Sequence, residues 1–228
     1  MNIVAIETAT TACAIGLLSE QGREVRVLDT QRRHTEVLTA GIAQLLADYS
    51  LVARNLDRVV VDRGPGLFTG LRVGIATAQA LAQGVGAELV GASSLELLAR
   101  AAARDGVRGS FYALVDARRG EIFSQCFELS DDVDAMMARD APVVTTASQL
   151  AEVLSLNDAA VTISGDGAAR YRDVFAPLLN ITVRDEIVPS PNEMLSLGTW
   201  RPASAQVAPL YLREADAVAN FTTRQRAS

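Results

Sequence analysis

The sequence predicts an α/β fold: a βββαβαβα first unit on a mixed sheet, then a shorter second α/β unit. Three observations carry this. Residues 2–7, 12–19 and 24–29 are three consecutive short runs with apolar or alternating character, as sequential strands have. From 35 to 50 the period turns helical. Strand-like runs at 58–62 and 88–92 then alternate with helical runs at 69–84 and 94–104, the pattern of crossover connections.

Each element follows from its residues. NIVAIE at 2–7 is apolar almost throughout, so both faces of that strand are buried. Glu20-Gln21-Gly22 makes a hairpin loop, with Gly where positive φ is easiest. In EVRVLD, Val25 and Val27 alternate with Glu24 and Arg26, which suits a strand with one wet face. Leu38, Ile42, Leu45, Leu46 and Tyr49 recur at helical spacing. RVVVD at 58–62 is β-branched. Beyond a boundary near 105–110, residues 111–117 and 121–129 read as strands joined by Arg118-Arg119-Gly120, a solvated hairpin tip. An acidic loop spans 131–140. A weak helix at 147–156, a strand at 160–164 and a helix at 168–179 complete the second unit. Five of the seven prolines lie from Pro177 onward, which predicts a loop-rich C-terminal region. The expected units are 1–106 and 107–213, with a polar, frayed tail at 214–228.

Composition excludes several chemistries. All 21 basic residues are Arg, so a phosphate-gripping or Schiff-base Lys is absent. The single His, His34, rules out a site built on two His ligands. Cys13 and Cys126 are too few for a disulfide framework and read as small core residues. A net charge of −6 argues against strong nucleic-acid binding by this chain alone. The N-terminus lacks a signal-peptide pattern and no apolar run is long enough to span a membrane, so a cytoplasmic address is expected.

The segment 64–74, GPGLFTGLRVG, runs from a strand through a Gly/Pro turn into a helix. Such a turn either presents backbone N–H groups to an anion or merely permits close packing. The helix after it carries Gly70, Gly74, Ala78 and Ala82 at four-residue spacing, a ridge of small residues to which a second helix could pack closely. Glu7-Thr8-Ala9-Thr10 ends the first strand, where a carboxylate and hydroxyls either orient a metal-bound phosphate or satisfy their own turn. Ser164-Gly165-Asp166-Gly167 poses the same choice after a later strand.

The element order with GPGLFTGLRVG resembles the actin/Hsp70-like ATPase (ribonuclease H-like) fold and, within it, the TsaB (YeaZ) family. The supporting strings are IVAIETAT at 3–10, His34 leading the first helix, GASSLELLA at 91–99, VDARRGEIF at 115–123 and PLYLR at 209–213. Together they cover most of the chain, and GPG-x-FTGLR-x-G is the most specific. Glu7 stands where many members have Asp and Leu67 where Ser is common. The resemblance implies an accessory, non-catalytic subunit in the synthesis of N6-threonylcarbamoyladenosine in tRNA. It would bind, and stabilise or activate, the catalytic paralogue TsaD, which transfers the threonylcarbamoyl group to the adenosine beside the anticodon. The ATPase TsaE would be a further partner. The chain would form a homodimer when alone and meet tRNA only through the complex.

The implied partner interface lies on the first two helices, with His34, Leu38, Ile42, Leu45, Gly70, Leu71, Gly74 and Ala78 as candidates. The implied vestigial nucleotide positions are Glu7, Thr8, Thr10, Gly165, Asp166 and Gly167. Nucleotide binding is expected to be weak or absent, with no cofactor. TsaD carries His-x-x-x-His on a helix, two ligands on one face. Ser94 and Leu98 stand at the matching places here, so the resemblance implies neither a metal site nor catalytic residues. The competing reading is an active ATP-dependent kinase or ATPase using Glu7, Thr10 and Asp166 around Mg-ATP. A metalloprotease is the weakest, because no His-Glu-x-x-His string exists.

Overall fold

Three consecutive antiparallel strands start the chain: β1 (Ile3–Glu7), β2 (Ala14–Ser19) and β3 (Gly22–Val27). Helix α1 (His34–Asp48) then carries it over the sheet. Strand β4 (Arg58–Asp62) lies parallel to β1, and α2 (Phe68–Val85) returns it to β5 (Glu88–Ala92), giving the order β3-β2-β1-β4-β5. The computed structural model describes residues 1–28, 34–156, 158–184 and 187–213, with backbone alone at His34 and Thr35. The expected tail at 214–228 lies outside the described residues.

Strand alternation splits the first sheet's residues between two cores. Val4, Ile6, Ile15, Val59 and Val61 face α1 and α2, meeting Leu38, Ile42, Leu45, Ile75 and Ala78. Ile3, Ala5, Val60 and Val90 face the other way. Helix α2 stops at Gly86, whose φ of 76° only glycine adopts readily.

Helix α3 (Ser94–Arg104) joins the two lobes. Its Leu97 enters the core behind the first sheet, while Leu95, Leu98 and Ala102 pack on the second. The second sheet is built on the hairpin of β6 (Gly109–Arg118) and β7 (Glu121–Leu129). It adds β8 (Met137–Ala138) and β9 (Val143–Thr146) to β7, and β10 (Val161–Ser164) and β11 (Ile181–Arg184) beside β6. Arg118, Arg119 and Gly120 turn that hairpin with φ of 66°, 55° and 86°. Helix α4 (Ala147–Ser155) starts on a capping box between Thr146 and Gln149.

The structure differs from the sequence reading in its last third. The single helix expected at 168–179 is two short ones, α5 (Asp166–Arg170) and α6 (Arg172–Phe175), broken at Tyr171, where φ is −109° and ψ 27°. The proline-rich stretch expected to be loop contains β11 and α7 (Pro191–Gly198). Ser190 caps α7 by accepting from the Asn192 N–H, and Pro191 takes the first helical position, where its missing donor costs nothing. Residues 191–198, placed by the sequence reading in the second unit, pack behind the first sheet: Met194, Leu195 and Leu197 join Ile3, Ala5 and Val60. Among the described residues, no helix is long and apolar enough to cross a membrane.

Candidate functional site

Glu7 and Asp62 end adjacent parallel strands, each an apolar run closed by a carboxylate. Both side chains are buried, at 1% and 0% exposure. Each caps the loop after its own strand. Glu7 Oε1 accepts from the N–H groups of Ala9 at 2.9 Å and Thr10 at 3.1 Å. Asp62 Oδ1 accepts from the Gly64 N–H at 2.7 Å, and Ser94 Oγ donates to the same carboxylate at 2.8 Å. Burial first, and the Asp62 charge second, hold Glu7 well above the usual carboxylate range. Burial also raises Asp62, against hydrogen bonds from Glu7, Gly64 and Ser94. Two buried carboxylates in contact cannot both ionise. Burial and the neighbouring Asp62 therefore favour the protonated form of Glu7, the more strongly raised of the two.

The turns after these strands are packed on one another. Leu67 donates its N–H to the Ala9 carbonyl at 2.7 Å, and a Cβ at Gly66 would lie 2.2 Å from that oxygen. Thr8 Oγ1 donates to the Gly70 carbonyl at 2.9 Å and fills the space over Gly74. Gly165-Asp166-Gly167 is locked to the other sheet. A Cβ at Gly165 would meet the Leu114 carbonyl oxygen at 2.1 Å, and Asp166 Oδ1 accepts from the Asp116 N–H at 2.9 Å. Thus Glu7, Thr8 and Thr10 gather with Gly66 in one lobe, and Gly165–Gly167 pack on β6 in the other. The glycines serve close packing, and N–H groups of the 64–67 turn are taken by Asp62 and Ala9.

A cleft of about 460 Å³ separates the Gly66–Phe68 turn from the β6–β7 hairpin, closed by the C-terminal strap at 210–213. Phe68 stacks on Tyr211 with centroids 5.4 Å apart, Arg72 lies 3.7 Å over the Phe68 ring, and Arg72 Nε donates to Tyr211 Oη at 3.1 Å. Arg118 and Arg119 sit at the exposed hairpin tip the sequence predicts and also border this cleft, with Arg118 3.0 Å from Asp116. Asp62, the bond from Ser94 to it and the Phe68–Arg72–Tyr211 cluster are not read from the sequence. The signal for Asp62 was its place at the end of a strand paired to the one that ends in Glu7.

The small-residue ridge of α2 faces inward. Leu38, Leu45, Gly70, Leu71, Gly74 and Ala78 are buried within the chain, whereas Ile42 lines the open groove between α1 and α2. At Gly74 the ridge seats α2 on Thr8 and Ile6, and at Ala78 and Ala82 it enters the core shared with α1. The His34 side chain lies outside the described residues. The outward faces of α1 and α2 form a different surface: a groove of about 660 Å³ lined by Thr39, Ala43, Ala47, Ala76, Ala80 and Leu81 among other uncharged residues.

Comparisons with known proteins agree on one relationship. The family model described as TsaD, tRNA N6-adenosine threonylcarbamoyltransferase, matches residues 28–215. The tRNA threonylcarbamoyladenosine biosynthesis protein TsaB of Haemophilus influenzae is 30% identical, over 93% of this chain and 94% of that one. The chain belongs to the TsaB (YeaZ) family. TsaB of Bacillus subtilis is 26% identical over 99% of this chain and 100% of its own. A crystal structure described as an uncharacterized protein with similarity to peptidase YEAZ, from Pseudomonas aeruginosa, superposes with a TM-score of 0.79 at 25% identity, covering 93% of this chain and 99% of that one. The two mixed sheets thus share the fold of that YeaZ-like structure.

In this TsaB-family chain, α3 holds Ser94 and Leu98 one turn apart. Ser94 is buried against Asp62, and Leu98 is buried in the second core. Neither can ligate a metal here. Among the described residues, no three His, Cys, Asp or Glu side chains converge as a metal site. The Cys13 thiol, pushed up to about 11 by burial and then by Glu7, stays protonated.

Proposed function

We propose that this chain is a non-catalytic subunit of the machinery that makes N6-threonylcarbamoyladenosine in tRNA. It binds the catalytic paralogue TsaD and stabilises or activates it, with TsaE as a further partner, and it meets tRNA only within that complex. The observation that carries the reading is the groove between α1 and α2. Its lining is uncharged, and exposed Ala43 and Ala47 on one helix face exposed Ala76 and Ala80 on the other. Small residues one turn apart let partner helices pack closely, and an open apolar groove marks an association surface. The same groove serves a homodimer when TsaD is absent. The packing of Gly66 on Ala9 and of Gly165 on Leu114 supports weak or absent nucleotide binding.

Ala80→Glu tests this. The side chain points outward, so the variant folds with the wild-type melting temperature. A buried carboxylate at the interface weakens association at least about tenfold. Size-exclusion chromatography with light scattering, with TsaD from the same genome, reads the outcome. If the variant still co-elutes with TsaD at low micromolar concentration, the groove is not the docking surface. If the wild-type chain itself elutes independently, the subunit reading fails.

A further inference from the structure

A cavity of about 270 Å³ lies beside edge strand β5, between the turn that leads into α3 and the C-terminal strap at 201–207. Arg63, Ser93, Glu96, Arg201, Ser204 and Gln206 line it. Arg201 and Glu96 neutralise each other: Arg201 Nη1 donates to Glu96 Oε2 at 2.9 Å, and Nη2 donates to Oε1. That leaves Arg63 as the uncompensated charge of the wall. Its stem is fixed over Gly91, with Cδ 3.3 Å from where a Cβ would sit. Among the described residues, its guanidinium meets no acceptor and no carboxylate. Ser93 is equally unspent. It precedes α3 without capping it, and its Oγ is sealed from water with no hydrogen-bond partner.

The buried, unpaired Ser93 hydroxyl is costly to maintain unless something binds it, and the Arg63 guanidinium in the same wall is left to water. The wall carries one net positive charge, and its free groups are donors. The space admits a tetrahedral ion but is below the range of drug-sized ligand pockets. We propose that this cavity binds a small oxyanion of phosphate size, with Arg63 as counter-charge and Ser93 Oγ as donor. The site is separate from the α1/α2 groove and independent of the proposed partner role.

The test is thermal unfolding of the full chain in inorganic phosphate from 0.1 to 50 mM (roughly spanning weak anion affinities), with ionic strength held by chloride. The wild-type melting temperature rises saturably, by roughly 3–6 °C at tenfold excess over Kd. Arg63→Met keeps the stem over Gly91 and removes the charge. It matches or exceeds wild type without phosphate and gives a flat response with it, and Ser93→Ala shifts the midpoint to higher phosphate. AMP at matched concentration separates the two sources of this chemistry. A response to phosphate alone assigns the free ion, and an equal response to AMP assigns a terminal phosphomonoester. A wild-type response that is absent, or one that persists unchanged in Arg63→Met, overturns the proposal.

Discussion

Gly66→Ala is expected to destabilise the protein by about 3 kcal/mol, the upper end of what overpacking costs. The added methyl would lie 2.2 Å from the Ala9 carbonyl oxygen and 2.9 Å from its carbon. Both are backbone atoms, so no rotamer change relieves the clash. The Ala9 carbonyl cannot retreat without giving up its 2.7 Å bond from the Leu67 N–H, and Ala9 is itself tied by its own N–H to Glu7. Relief therefore means prying apart the two turns that close the first sheet. For a chain of this size the loss corresponds to a fall in melting temperature of roughly 6–12 °C. Gly84→Ala is the control. It lies in the same α2, nothing stands within 4 Å of the new methyl, and relief of glycine's backbone entropy predicts a gain of about 0.8 kcal/mol. Urea denaturation of both variants reads the contrast. A Gly66→Ala protein as stable as wild type would mean that the turns are not in contact.

The same packing shows why sequence reading went as far as it did. The first lobe is legible because its strands are apolar, β-branched or alternating runs and its helices carry clear 3.6-residue patterns, as in Leu38, Ile42, Leu45 and Leu46. Strands β9 and β11 have four residues each, too few for alternation to show. Helix α7 was masked by its own start signal: Ser190-Pro191 caps and opens it, yet proline was counted only as a breaker. The α2 ridge is legible in the sequence, but what packs on it is not. Gly and Ala at four-residue spacing look the same in sequence whether a helix or a turn fits against them, and Thr8, sixty-six positions before Gly74, decides the matter. Glu7 was singled out from its place at a strand end. Its role was not, because a carboxylate's protonation depends on Asp62 across the sheet.

That pairing sets the second expectation, Glu7→Gln. In the folded chain Glu7 keeps its proton far above its ordinary value of 4.5, because burial and then Asp62 disfavour the charge. In the unfolded chain it releases the proton near that ordinary value. The folded state therefore binds more protons, and its stability must decline as pH rises. The contribution is fully present below the unfolded pKa and is lost as pH climbs through the folded one. One proton sets a slope of up to about 1.4 kcal/mol per pH unit. Asp62, also raised by burial, adds in the same direction. The Cys13 thiol beside the pair, at about 11, does not titrate in this window. Glutamine reproduces the protonated acid: its oxygen can accept from Ala9 and Thr10, and its amide can donate to Asp62 at every pH. Glu7→Gln is thus expected to match wild type near pH 4.5 and to exceed it increasingly toward pH 8. The difference between the two unfolding free energies cancels every group they share. A difference that stays constant from pH 4.5 to 8 would mean that Glu7 ionises in the fold, and that the pair is held by a cation rather than by a proton.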